Sequence, residues 1–203
     1  MHYKLLHNKC LLEFKDRSEV VETKSGVELY QASQWEILKH TNQDAIVRKI
    51  PYKLSRHMKG YDVEIKEGDR VFVHHFICRP DHWFEWEGDE YAELDYNHIY
   101  CKKEIGGEIE MIQDYIFLER AHFSEETCKT PGGLWLKSEP DEIQGCAYVR
   151  HINKYTEGFK VGDLVSYSKL SDYEMSIDGT KYLRMRNGDI TGILDKKLIH
   201  LGA

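Results

Sequence analysis

EGFKVGDLVSYSKLSDYEMSIDGTKYLRMRNGDITGIL, residues 157–194, is the stretch whose reading decides the fold. Leu164-Val165-Ser166-Tyr167 has strand composition and follows the turn-like Lys160-Val161-Gly162-Asp163. Asp178-Gly179 is a strong short-range hairpin signal. Leu183 and Met185 alternate with Arg184 and Arg186, the period-two pattern of a strand with one buried face. Asn187-Gly188-Asp189 turns the chain once more, and Ile190, Ile193 and Leu194 close a compact all-β unit.

Working outward, this unit has a partner in the first half. Ile65-Lys66-Glu67-Gly68-Asp69-Arg70-Val71 parallels Phe159-Lys160-Val161-Gly162-Asp163-Leu164-Val165 at an offset of 94 residues. Gly88 and Gly179, then Ile99 and Ile190, match at an offset of 91. Three ordered matches at nearly constant offset predict a duplication. Two copies are too few for a solenoid, so the expected architecture is two tandem β-barrels, residues 1–107 and 108–203.

The net charge of −7 is shared by both halves, which argues against a nucleic-acid module, since phosphate binding needs clustered positive charge. No apolar run reaches the roughly 18 residues of a membrane helix. Residues 1–7 are too short and polar to read as a signal peptide. Five scattered cysteines fit a reduced, cytoplasmic setting.

Several segments depart from plain strand patterning. Residues 15–44 read as a long loop with two apolar islands, Val27 with Leu29, and Trp35-Glu36-Ile37-Leu38. Residues 51–61 read as a basic linker. Residues 79–98 read as an inserted hairpin in which Trp83, Phe84, Trp86 and Tyr91 are interleaved with acidic residues, either covering a barrel or forming a contact surface. In the second half, residues 123–142 form a polar loop around Gly132-Gly133-Leu134-Trp135-Leu136. An apolar triplet on a polar loop is expected to be mobile when free and to bury itself in a partner.

The second half resembles the co-chaperonin family, the GroES-like ring lids. The resemblance runs through Asp114-Tyr115-Ile116-Phe117-Leu118-Glu119-Arg120, Gly132-Gly133-Leu134-Trp135-Leu136, Gln144-Gly145, Lys160-Val161-Gly162-Asp163 and Gly188-Asp189-Ile190. The first half resembles it more weakly, through Leu12-Glu13-Phe14, the Thr23-Lys24-Ser25-Gly26 stretch and Glu67-Gly68-Asp69. The resemblance implies a double-barrel, non-enzymatic co-chaperonin without cofactors. Its partners would be the apical domains of a chaperonin, unfolded protein inside the cage, and further copies in a ring-like homo-oligomer. It implies chaperonin binding through Gly132, Gly133, Leu134, Trp135 and Leu136, and in the first half through Val27 and Leu29 or the Trp35 island.

The second half has only residues 150–157 where the family often carries a roof hairpin. An open roof and an enlarged hairpin would enclose a different volume, as viral co-chaperonins do, and a viral lid would work in the host cytoplasm. A β-barrel adaptor using the acidic-aromatic hairpin, without chaperonin binding, is the alternative function. His74, His75, Cys78, His82 and Cys101 invite a zinc reading, but their spacing favours packing, and adjacent strand residues point to opposite faces.

Overall fold

The structure, a computed structural model, describes residues 5, 7–14, 20–22, 28–30, 43–55, 58, 60–75, 83–86, 88–122, 127–129, 135–137, 142–168 and 173–195. Among them are strands and short 3-10 turns, with no α-helix. The chain divides into two compact units, Met1–Gln113 and Asp114–Ala203.

The first unit contains β1 (Lys9–Phe14), β2 (Val20–Glu22), β3 (Glu28–Tyr30), β4 (Asp44–Lys49), β5 (Arg70–Val73), β6 (Trp83–Trp86), β7 (Asp89–Asp95), β8 (Ile99–Lys103) and β9 (Ile109–Met111). The second contains β10 (Tyr115–His122), β11 (Thr127–Lys129), β12 (Trp135–Lys137), β13 (Glu142–His151), β14 (Leu164–Tyr167), β15 (Tyr173–Ile177), β16 (Thr180–Arg186) and β17 (Ile190–Leu194). The main sheets run β6-β7-β1-β4-β5-β8-β9 and β15-β16-β10-β13-β14-β17, and two small hairpins, β2-β3 and β11-β12, stand apart.

The second unit repeats the order of the first, less its last strand, and repeats its register. Leu12 pairs with Val47 and Ala92, while Leu118 pairs with Val149 and Leu183. Each unit shifts register at the same place, between Leu11 and Leu12 and between Phe117 and Leu118. The entry turns match as well. The Lys66 and Lys160 N–H groups donate to Asp69 and Asp163 Oδ2 at 2.9 Å, with Gly68 at φ +92° and Gly162 at φ +87°. Those positive φ values explain glycine at both turns. Asp178 (φ 49°) and Gly179 (φ 83°) make the primed turn that the Asp-Gly pair predicts.

Neither sheet closes among the described residues. The two sheets are nevertheless consistent with the expected pair of all-β barrel units, each with edge strands of three to five residues. Each curls its apolar face around its own core. Cys10, Leu12, Ala45, Val47, Val71 and Leu94 pack together in the first unit, and Ile116, Leu118, Ala147, Val149, Val165 and Met185 in the second. On the other face Arg186 lies over the Tyr115 ring at 4.2 Å, so that alternating arginine also covers aromatic surface.

Three sequence expectations change. Residues 79–98 do not hold an added hairpin: β6-β7 occupies the place of β15-β16, Ala92 and Leu94 are core, and Trp83 stacks on Phe14 at 5.3 Å. Glu93 and Asp95 make it read as an insert, yet they line the other face of β7, where Lys9 lies 3.5 Å from Glu93 and 3.6 Å from Asp95. The basic linker is a packed cover. Leu54, Met58 and Tyr61 join the core, and Asn8 holds Ser55 by two hydrogen bonds, Asn8 Nδ2 to Ser55 Oγ at 3.0 Å and Ser55 N to Asn8 Oδ1 at 2.6 Å. The division between units falls after Gln113, not at 107/108, because Ile109–Met111 pairs with β8.

Candidate functional site

The two small hairpins are the candidate site. Each interrupts the connection between central neighbouring strands, β1 to β4 and β10 to β13. In the first unit Val20 pairs with Tyr30, Val21 with Leu29 and Glu22 with Glu28. In the second Thr127 pairs with Lys137, Cys128 with Leu136 and Lys129 with Trp135. In both, two strands of three residues are separated by five residues of sequence. Aligning the registers sets Leu29 at the place of Leu136, Glu28 at that of Trp135, and Val27 at that of Leu134.

The expected loop over residues 123–142 therefore carries a paired hairpin. Val20, Val21, Tyr30, Thr127 and Trp135, residues of high strand preference, give the physical reason. The backbone of Trp135 and Leu136 lies in β12, and that of Leu29 in β3. Gly132, Gly133, Leu134, Val27 and Trp35-Glu36-Ile37-Leu38 lie outside the described residues. The shared spacing of an apolar residue, any residue and leucine after glycine, Gly26-Val27-Glu28-Leu29 and Gly133-Leu134-Trp135-Leu136, was the sequence signal for the first-unit equivalence.

The root of the second hairpin is fixed electrostatically. β10 and β13 carry the main sheet out to the pair His122–Glu142. Arg120 forms an ion pair with Glu142 and lies 3.5 Å from Glu174. Burial opposes the guanidinium charge, but the hydrogen bond and attraction of Glu142 outweigh it and raise the Arg120 pKa.

The zinc reading finds no support among the described residues, where no three histidine, cysteine or acidic side chains converge as a metal site. His74 and His75 follow β5 and stack on each other at 4.4 Å, rather than pointing apart, because the strand has ended at Val73. The Cys101 thiol is buried, and burial pushes its pKa up. Cys78 and His82 lie outside the described residues. No helix among the described residues is long and apolar enough to cross a membrane.

A family model described as Chaperonin 10 Kd subunit matches residues 108–194. The chain is similar to the co-chaperonin GroES of Desulforapulum autotrophicum, with 37% identity over 93 residues, 41% of this chain and 95% of the relative. It is also similar to that of Geotalea daltonii, with 35% identity over 95 residues, 42% of this chain and 95% of the relative. For that of Rhodothermus marinus the identity is 35% over 77 residues, 34% of this chain and 77% of the relative.

Proposed function

The chain belongs to the GroES co-chaperonin family, and from that premise we propose that it caps a chaperonin ring and assists ATP-dependent folding of protein enclosed beneath it. It acts by binding and enclosing, without catalysing a reaction, in the cytoplasm.

The two hairpins are the grips. In the second unit the chaperonin anchor is Leu134-Trp135-Leu136, which follows Gly132-Gly133 in the sequence. In the first it is Val27 with Leu29, in preference to the Trp35 island. The observation that carries this choice is the shared hairpin register, which gives both units the same frame for presenting an apolar pair. The grips are unequal. Glu28 stands where the second unit has Trp135, and its cross-strand partner is Glu22. A carboxylate adds no apolar burial in a partner. The second-unit hairpin therefore supplies most of the affinity.

Several modest grips acting together give avidity while each remains weak enough to let go. A lid that must leave on every cycle needs that combination. The test is co-elution of the full chain with a GroEL-type chaperonin in the presence and absence of ATP. Nucleotide-dependent co-elution is expected. A chain that never co-elutes sinks the capping function and leaves the β-sheet adaptor.

A further inference from the structure

We propose that His74, His75 and His98 form an acid-sensitive joint of the first unit: at mildly acidic pH their rings, charged together, part and release the end of β5 from the 3-10 turn Tyr96–His98. The joint does not rest on the lid reading, and it is tested without chaperonin.

Both units have this joint in their backbone and differ in its side chains. The His74 N–H donates to the His98 carbonyl at 3.0 Å, and the Ser168 N–H donates to the Asp189 carbonyl at 3.0 Å. The positions correspond. Val71 on β5 pairs with Lys102 where Val165 on β14 pairs with Ile193, three residues ahead of His74 and Ser168. Ile99 opens β8 and Ile190 opens β17, one residue after His98 and Asp189. Imidazoles therefore stand where the second unit has a hydroxyl and a carboxylate. That carboxylate braces its own turn, since Asp189 Oδ2 accepts the Arg186 N–H at 2.9 Å.

The three rings of the first unit are close. His74 stacks on His75 at 4.4 Å, with 24° between the planes, and lies 5.9 Å from His98. The fully buried Tyr100 meets His74 edge-on at 6.1 Å. His75 is buried, with 6% of its surface exposed. Neutral imidazoles tolerate this crowding. Histidine gains its charge near pH 6.5, and two imidazolium rings at these distances repel each other. Burial opposes charge at His75 as well. The cluster therefore takes up its protons in steps that belong to the set rather than to one ring.

The groups on the packed elements are a phenol, an amide and paired charges. Tyr100 is on β8, and the Gln43 carbonyl ahead of β4 accepts the Val73 N–H at 3.0 Å. Asp44 of β4 lies 2.7 Å from Arg70, Asp95 of β7 lies 3.6 Å from Lys9, and Lys102 of β8 lies 3.0 Å from Glu110. Unfolding separates the imidazoles and returns His75 to water, so below about pH 6.5 the unfolded chain binds more protons than the folded one. The cluster's contribution to stability is thus present above that pH and lost as pH falls. As the rings part they strain the one backbone bond that ties His74 to the turn.

Urea titration of the full chain between pH 7 and pH 5, with amide exchange and imidazole proton NMR over the same range, tests the joint. The folding constant should fall by about tenfold per pH unit below about pH 6 for each proton that only the unfolded chain binds. His74→Ser, which copies Ser168, and His74→Gln are uncharged at every pH. Both should abolish that fall and let His75 take up its proton at higher pH. The slope is read against each variant's own value at pH 7, so a variant less stable at neutral pH still answers. The protection factor of the His74 amide should drop on acidification while that of Ser168 holds. His74 and His75 titrating together in a single step near pH 6.5, an acid loss that survives in both variants, or equal protection of the two amides overturns the joint.

Discussion

Replacing Gly162 with alanine tests both the entry turn and the independence of the units. A Cβ at Gly162 would meet nothing within 4 Å, so no clash contributes. The cost is then conformational. The residue sits at φ +87°, with its N–H donated to the Val149 carbonyl at 2.8 Å and the Val149 N–H returned to the Asp163 carbonyl at 2.9 Å. Those bonds hold the turn in place, and an L-residue there costs about 1–2 kcal/mol. If the second unit unfolds by itself, 1 kcal/mol lowers its melting temperature by about 4–8 °C; unfolding of all 203 residues together would halve that to about 2–4 °C. Gly68→Ala should cost the same in the first unit, since its φ is +92° and its turn is built alike. Gly162→Asn should cost less than Gly162→Ala, because asparagine tolerates the left-handed region. Differential scanning calorimetry on the three variants reads all of this. An unshifted Gly162→Ala, or an asparagine worse than alanine, refutes the turn account.

Leu12→Ala and Leu118→Ala should each cost about 2–5 kcal/mol by urea titration, since both side chains are fully buried at the same register position; a loss below 1 kcal/mol at either would contradict that equivalence. Burial first, and the Asp95 carboxylate second, push the Cys10 thiol up, and burial does so for Cys101. A raised folded pKa contributes stability that is fully present below the ordinary thiol value of about 8.5 and is lost as pH rises above it. Stability should therefore fall by about 2 kcal/mol per thiol between pH 7 and pH 10, and Cys10→Ala with Cys101→Ala should flatten that fall. An alkaline limb unchanged in the double variant would mean that other groups cause it.

The strands and entry turns were legible because they rest on local chemistry. Gly68-Asp69 and Gly162-Asp163 mark turns by conformation, and Leu183 and Met185 mark a strand by period. What stayed hidden depends on partners distant in sequence. Ile109–Met111 reads as a linker until β8 is beside it, and residues 51–61 read as basic until Leu54 and Met58 are seen against the core. The acidic residues of β7 masked a core strand because alternation places Glu93 and Leu94 on opposite faces. At the candidate site the apolar triplet was legible, but the hairpin that frames it was not, since three-residue strands give too short a run for a period to emerge.

The central claim is that the second hairpin grips a chaperonin through Trp135 and Leu136. The direct measurement is the affinity of Trp135→Ser with Leu136→Ser for a GroEL-type chaperonin in ATP, taken beside the variant's melting temperature. Burying each side chain in a partner contributes about 1.5–3 kcal/mol, so the account predicts at least about a hundredfold loss of affinity per hairpin, with melting unchanged. Wild-type affinity, or an early melt that removes binding along with the fold, would contradict it.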